Sequence, residues 1–259
     1  MHKHIIVKQH EGGFFSNFNK VVSFLEKNSN TEKITWDLRG QPFGAFAFNC
    51  GEVFSYLFSP YNTNISCDQE EILKEYIDQR HTGRNVHSCY TGSQDWRYSL
   101  NRVYKKYITP TEFLRNKIKQ VDELFEQIQG KQKIGILKRN DLLKCEQHQN
   151  KMPELSLYEN EINKIYTKNS ALILSVDNTS DLNFFKNKYK PTIFSPIIRR
   201  TNVATDMEPH FTPGTHIDAA TIFLDVYMLS KCNYFIHPVS NMATAALYFN
   251  PELKSKYIF

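Results

Sequence analysis

Apolar and polar residues alternate along the chain in a way that predicts strands and helices in turn. Two short apolar runs, His4–Lys8 and Lys33–Asp37, are typical of buried strands. Between them, Phe14–Lys27 carries apolar residues at the three-to-four-residue spacing of a helix. The chain therefore begins with a strand, a turn containing Gly12 and Gly13, a helix and a second strand, which is the start of a parallel α/β domain.

Three helices are predicted in the middle of the chain. The first two cover Asp68–Gln79 and Asp95–Tyr107. The third begins with Thr109 as its N-cap and Glu112 three residues later, which is the spacing of a capping box. An apolar stripe follows, and Gly130 is expected to stop this helix.

After Gly130 the alternation of strands and helices begins again. Strands are expected at Ile134–Leu137, Ala171–Val176, Thr192–Ser195 and Tyr234–Ile236. Helices are expected at Leu155–Lys168, at Ser180–Lys188 with Ser180 as cap, from Asp218 onward, and after a last cap at Ser240. The sequence therefore predicts a second parallel α/β unit, with the boundary between the two units near Gly130.

Composition narrows the class of protein. The 259 residues are 41% hydrophobic, enough for a packed core, and the net charge of +5 comes from scattered Lys and Arg. Such a charge suits a small anionic ligand as well as nucleic acid. The five cysteines never have C-x-x-C spacing, which argues against zinc and disulfide frameworks and favours a reducing compartment. No apolar run has the length of a signal h-region or a membrane span, so we expect a cytoplasmic protein.

Polar side chains follow the predicted strands of the second unit, where open α/β sheets bind their ligands. They are Lys138, Arg139, Asn140 and Asp141, then Asp177 and Asn178, then Arg199 and Arg200, and finally His237 to Asn241. Guanidinium groups bind phosphate through paired hydrogen bonds, and a helix N-terminus adds unpaired N–H groups. This set predicts a diphosphate site. The sequence has no Walker A motif and no Asp-x-Asp, so a dedicated metal clamp is not expected and arginines must offset the phosphate charge.

Four stretches carry a resemblance to a known family. Leu224–Leu253 resembles the C-terminal region of fucosyltransferase-like GT-B glycosyltransferases, a group that includes nodulation-type and α-1,6-fucosyltransferases, protein O-fucosyltransferases and short glycosyltransferases of large DNA viruses. Ile134–Asp141 is similar to the strand and H-x-R-G/R-T-D element of that group. Gly12–Asn17 is similar to its G-x-x-x-N turn, and Asn49–Phe58 to an N-x-x-E-x-x-F-F element of some members.

The resemblance implies an α/β protein of the GT-B type, with two Rossmann-like parallel-sheet domains facing a central cleft. Residues 1–130 would form the acceptor side, and residues 131–259 would bind the nucleotide sugar. The implied activity is an inverting, metal-independent transfer of fucose, xylose or a similar sugar from a GDP- or UDP-linked donor to a glycan hydroxyl. No cofactor is implied.

The resemblance also assigns residues, and strand-end position adds Asp177. Arg139 would hold the donor diphosphate, and Arg199 or Arg200 would supply a second contact. Other expected donor contacts are Gly13 and Asn17 in the first turn, Asp225 near the base or ribose, and Ser240 and Asn241 at a helix start. The family histidine is replaced by Leu137 or Lys138 and the family threonine by Asn140, which leaves the sugar and the base open.

A carboxylate from the first half is expected to act as the general base. Glu52, a lone carboxylate in an aromatic stretch, is the first candidate, Asp37 the second and Asp95 the third. Two other functions stay open at this point. One is a nucleotide- or sugar-binding module without catalysis, and the other is a nucleic-acid-binding protein that uses the basic surface.

Overall fold

The computed structural model describes residues 3–8, 14–28, 31–37, 56–61, 69–73, 94–139, 153–177, 179–189, 193–194 and 216–258. Within these ranges, side chains are not described at 3–8, 16, 17, 20, 31–33, 35–37, 69–73, 193–194 and 216–218. The chain divides into two compact units, the first formed by Met1–Ile118 and His210–Ile222, the second by Lys119–Pro209 and Phe223–Phe259. The two domains expected from the sequence, 1–130 and 131–259, stay a prediction.

The first unit contains a three-stranded parallel sheet in the order β2-β1-β4 and a two-stranded antiparallel sheet of β3 and β5. Its strands are β1 (Lys3–Lys8), β2 (Thr31–Asp37), β3 (Phe58–Ser59), β4 (Gln69–Leu73) and β5 (Thr109–Pro110). Its helices include α1 (Phe14–Lys27) and α2 (Asp95–Tyr107), whose predicted bounds are confirmed.

The helix predicted over Asp68–Gln79 is wrong in the part that the structure describes, because Gln69–Leu73 is a strand. Gln and Glu favour a helix over other conformations by only a few tenths of a kcal/mol per residue. In β4 the same residues pair with β1 over five positions, from Lys3 opposite Gln69 to Val7 opposite Leu73. Backbone hydrogen bonds to a distant segment therefore override a weak local preference.

Aromatic side chains hold α1 in the first unit. Phe14, Phe15 and Phe18 are all buried on one face of the helix. The ring of Phe18 lies 5.5 Å from that of Phe58 in β3 and 6.3 Å from that of Tyr104 in α2. The helical spacing of these phenylalanines in the sequence thus corresponds to a real buried face.

The next helix, α3 (Glu112–Glu126), begins later than predicted. Thr109 lies in β5 and does not cap the helix. The first backbone bond of the helix runs from Arg115 N–H to the Thr111 carbonyl, and the Thr111 hydroxyl donates to the Tyr56 carbonyl. Pairing of β5 with β3 occupies the residues that the capping box would have needed. Gly130, expected to stop the helix, lies beyond its end with φ of 83°, which glycine adopts readily.

The second unit contains a five-stranded parallel sheet in the order β10-β9-β6-β7-β8. Its strands are β6 (Gln132–Lys138), β7 (Ser170–Val176), β8 (Ile193–Phe194), β9 (Tyr234–His237) and β10 (Lys254–Tyr257). Its helices are α4 (Leu155–Ile165), α5 (Thr179–Tyr189), α6 (His216–Ser230), which continues from the first unit, and α7 (Asn241–Phe249). The parallel α/β class is confirmed, whereas β10 was not predicted.

Helices cover both faces of this sheet. On one face, Ile134, Ile136, Leu172 and Leu174 pack in one apolar cluster with residues of α4 and α5 such as Ile162 and Phe185. On the other face α6 comes so close to β6 that a Cβ atom on Gly135 would lie 3.0 Å from Cys232 Sγ and 3.1 Å from Leu229 Cδ2. Gly135 therefore has a packing role as the residue that admits the end of α6.

Strand order reverses beside β6. The chain passes from β6 to its neighbours β7 and β8, and then α6 returns it to β9 on the other side of β6. Open α/β sheets form a ligand crevice beyond the carboxyl ends of the strands at such a switch point. We use the name carboxyl edge for the carboxyl ends of β6, β7 and β9 together with the first turns of α5 and α7.

Candidate functional site

Arg139 follows β6 directly and is buried at the carboxyl edge. Its Nη1 atom lies 3.1 Å from Asp177 Oδ1, and Asp177 follows the neighbouring strand β7. The two side chains are only 9% and 5% exposed. The charge of the guanidinium is thus compensated by a carboxylate that also orients it, as a buried cation requires.

The first turn of α7 lies against the same arginine. Ser240 is its N-cap, with extended backbone angles and a hydroxyl oxygen that accepts from the Met242 N–H at 3.2 Å. The predicted cap at Ser240 is therefore confirmed. The Met242 sulfur lies 3.2 Å from Arg139 Nη1, so one residue links the capped helix start to the arginine. Asn241 is the first residue of the helix and is half-buried.

Lys138 places a second cation at the carboxyl edge. It is the last residue of β6. Because side chains alternate between the two faces of a strand, Lys138 lies on the same face as Ile134 and Ile136, which α4 and α5 cover. Its Nζ atom donates to the Arg139 carbonyl at 3.1 Å and lies 4.0 Å from an oxygen of Asp181 in the first turn of α5.

Within the described residues, the carboxyl edge balances charge rather than accumulating positive charge. Arg139 lies beside Asp177, and Lys138 lies beside Asp181. With backbone and side chain taken together, each of the four residues is at most 8% exposed. A diphosphate bound here would compete with carboxylates for arginine and lysine hydrogens, so extra positive charge from outside the described residues would strengthen binding.

Asp225 lies on α6 and is buried below the carboxyl edge. One of its carboxylate oxygens accepts from the Ser175 hydroxyl at 2.8 Å. Ser175 precedes Asp177 by two positions in sequence, on the sheet face toward α6. The structure therefore gives Asp225 a role in joining α6 to β7, and its contact with a base or ribose stays a prediction.

His237 ends β9 and is fully buried. Its ring is stacked on Phe235 at 4.5 Å, and Nδ1 lies 3.0 Å from the carbonyl oxygen of Pro238. A carbonyl only accepts, so Nδ1 carries the hydrogen. This bond stabilises the turn that leads from β9 to the cap at Ser240.

The described residues give little support to a reactive cysteine or a metal site. Burial raises the pKa of the Cys232 thiol, so this cysteine stays protonated and serves packing against Gly135. Among the described residues no group of three or more His, Cys, Asp or Glu side chains could hold a metal ion. None of the described helices is long and apolar enough to cross a membrane.

The remaining predicted site residues divide into three groups. Asp37 is the last residue of β2 and Asn17 lies in α1, but their side chains are not described. Asp95, the third candidate for the base, is the exposed first residue of α2. The other predictions lie outside the described residues, namely Gly13, Glu52, Asn140, Asp141, Asn178, Arg199 and Arg200. The structure thus brings Arg139, Asp177 and the start of α7 together, and it leaves the proposed roles of all these residues as predictions.

Two residues of the carboxyl edge were missed in the sequence, namely Met242 beside Arg139 and Asp181 beside Lys138. Met242 reads as a core residue, since apolar residues fill α7 all round, and nothing local points it toward an arginine. Asp181 reads as an acidic residue in the first turn of a helix, where negative charge is common. The contact of Asp181 with Lys138 could have been anticipated, because the alternation of side chains along β6 places Lys138 on the face that α5 covers.

Comparisons with solved structures identify the fold. The structure of NodZ α-1,6-fucosyltransferase soaked with GDP-fucose aligns with a TM-score of 0.56 and 14% identity, over 96% of this chain and 92% of that one. Fucosyltransferase NodZ from Bradyrhizobium gives 0.55 and 14% over 96% and 93%. A mutant of Arabidopsis thaliana FUT1 in complex with GDP gives 0.56 and 9% over 99% and 70%. No family model and no curated protein matches the sequence.

The fold class follows from these alignments. The chain has the GT-B fold that the fucosyltransferase structures share, and the resemblance seen in the sequence is confirmed. Sequence identity in these alignments is only 9% to 14%, so the similarity establishes the fold, and the activity must be argued from the site.

Proposed function

We propose that this protein is a glycosyltransferase that takes a sugar from a nucleotide-diphosphate donor, GDP- or UDP-linked, and attaches it to a glycan hydroxyl. The transferred sugar is proposed to be fucose, xylose or a similar sugar. The second unit would bind the donor and the first unit the acceptor. GDP and GDP-fucose occur in the aligned NodZ structures, which supports a nucleotide-sugar donor here.

One observation carries this proposal. A buried arginine and a serine-capped helix start flank the switch point between β6 and β9, and Met242 connects them. Arg139 supplies a permanent positive charge with several N–H donors, and the first turn of α7 supplies backbone N–H groups and the positive end of the helix dipole. Both features suit a diphosphate, and the position is where α/β folds bind nucleotides.

The proposed reaction is a single displacement with inversion. The acceptor oxygen attacks C1 of the sugar, the bond from C1 to the phosphate oxygen breaks, and its electron pair leaves with the nucleoside diphosphate. A carboxylate takes the hydroxyl proton, with Glu52, Asp37 and Asp95 as the candidates. Arg139 and the start of α7 stabilise the charge that develops on the departing diphosphate, which supports a mechanism without a metal.

Thermal shift measurements with nucleotides test donor binding first. GDP or UDP at about 100 times its Kd should stabilise the folded protein by about 2.7 kcal/mol. Arg139→Ala should lose this shift and remain folded, whereas the exposed Arg102→Ala should retain it. An unchanged shift in Arg139→Ala would refute the donor site. Binding to random DNA that weakens strongly with salt, without any response to nucleotides, would favour a nucleic-acid-binding protein instead.

Turnover then separates an enzyme from an inactive binding module. GDP release from GDP-fucose in the presence of glycan acceptors should persist in EDTA, and the product should have the opposite anomeric configuration to the donor. Glu52→Gln should bind donor and lose transfer if Glu52 is the base. Nucleotide binding with no turnover across donors and acceptors would support the inactive module.

A further inference from the structure

The Nη1 atom of Arg139 has two acceptors on two different elements. Asp177 Oδ1 lies 3.1 Å away at the end of β7, and Met242 Sδ lies 3.2 Å away in the first turn of α7. Nη1 carries two hydrogens, so it donates one to each acceptor. The two contacts together restrict rotation of the guanidinium plane more than the carboxylate does alone.

The thioether differs from the carboxylate in charge. It is a weak, neutral acceptor, so it orients Arg139 without reducing the positive charge of the guanidinium. Met242 is itself held in place, because its side chain is buried and its N–H donates to Ser240 Oγ. The orientation of Arg139 is therefore coupled to the cap of α7.

We propose that Met242 is a positioning residue for the donor diphosphate. Its sulfur holds the guanidinium of Arg139 toward the first turn of α7, so that the arginine and the helix start act on the same phosphate group. This inference rests on the proposed function. It assigns Met242 a polar task although the residue lies in an apolar helix.

A packing role and a positioning role for Met242 predict opposite effects of two substitutions on function. If Met242 only fills space, Met242→Leu retains function and Met242→Gln disturbs it, because glutamine adds polar atoms to a buried site. If the sulfur acts as an acceptor, Met242→Gln retains function, because its amide oxygen reaches a similar position, and Met242→Leu loses it. The conservative apolar change thus becomes the damaging one.

The experiment measures the Kd of GDP, or of UDP if the unaltered protein binds UDP instead, by calorimetry on the full chain, together with the Tm of each variant. Met242→Leu should bind GDP about three- to tenfold more weakly than the unaltered protein, as the loss of one neutral hydrogen bond predicts. Met242→Gln should stay within about threefold of it. Met228→Leu, a matched change at a buried methionine of α6, should leave GDP binding unchanged.

The outcomes separate this inference from the function on which it rests. If the unaltered protein does not bind GDP or UDP, the proposed function fails and the positioning role fails with it. If GDP binds equally well to Met242→Leu and Met228→Leu, only the positioning role is overturned. If Met242→Gln does not fold, the comparison of the two leucine variants decides alone.

Discussion

In the interior of the five-stranded sheet, β6 and β7 present apolar side chains such as Ile134, Ile136 and Leu174, all fully buried. At the carboxyl edge of the same two strands, the chain buries charged residues nearly as deeply, among them Arg139 and Asp177. Apolar burial stabilises the fold in proportion to area. A buried ion pair often stabilises a fold less than an apolar pair of the same volume does. The carboxyl edge is therefore expected to contribute less to stability than the interior, but it keeps charged groups at the position proposed for the ligand.

The largest effect on stability is expected from breaking the ion pair at the carboxyl edge. Asp177→Ala leaves the positive charge of Arg139 buried without this carboxylate, which should lower the free energy of unfolding by about 3–5 kcal/mol. Urea denaturation measures this loss. The exposed Glu123→Ala should change stability by less than about 0.5 kcal/mol. A loss below about 1 kcal/mol in Asp177→Ala would contradict the buried pair.

In the interior of the five-stranded sheet, stability should depend on side-chain volume and not on charge. Gly135→Ala places a Cβ atom 3.0 Å from Cys232 Sγ, so overpacking should cost about 1–3 kcal/mol in unfolding free energy while GDP binding persists. Part of the cost should disappear in a Cys232→Ala background, because that change removes the nearest atom. Additive losses in the double variant would show that the strain lies elsewhere.

The helix start at the carboxyl edge should show a smaller effect on stability together with an effect on binding. Ser240→Ala removes the oxygen that accepts from the Met242 N–H, and this should cost about 1 kcal/mol. GDP binding, measured by calorimetry, should also weaken. The matched control is Ser180→Ala, since Ser180 lies inside α5 and not at its cap as the sequence suggested. Equal losses in both variants would argue against the cap.

The smallest change in stability is expected when both charges are replaced together. The double variant Arg139→Met and Asp177→Leu exchanges the ion pair for apolar side chains of similar volume, so its unfolding free energy should lie within about 1 kcal/mol of the unaltered protein or above it. GDP binding should nevertheless be lost. Retained binding in a stable double variant would contradict the donor role of this pair.

Short-range patterns in the sequence determined a large part of the fold. The alternation of strands and helices, the bounds of α1 and α2, and the cap at Ser240 all depend on residues within a few positions of one another. The polar residues that follow β6 and β7 also pointed to the carboxyl edge, because parallel strands end on the same side of a sheet. Each of these features could be read without knowing what lies next to it in space.

Only the tertiary structure decided which distant segments meet. The strands β4 and β10 form because backbone groups find partners in β1 and β9, against or beyond their local preferences. The contacts of Arg139 with Asp177 and Met242 join residues 38 and 103 positions apart, and side-chain type alone does not select such partners. Propensity acts within a turn or a strand, whereas strand pairing and the compensation of a buried charge depend on what the completed sheet brings together.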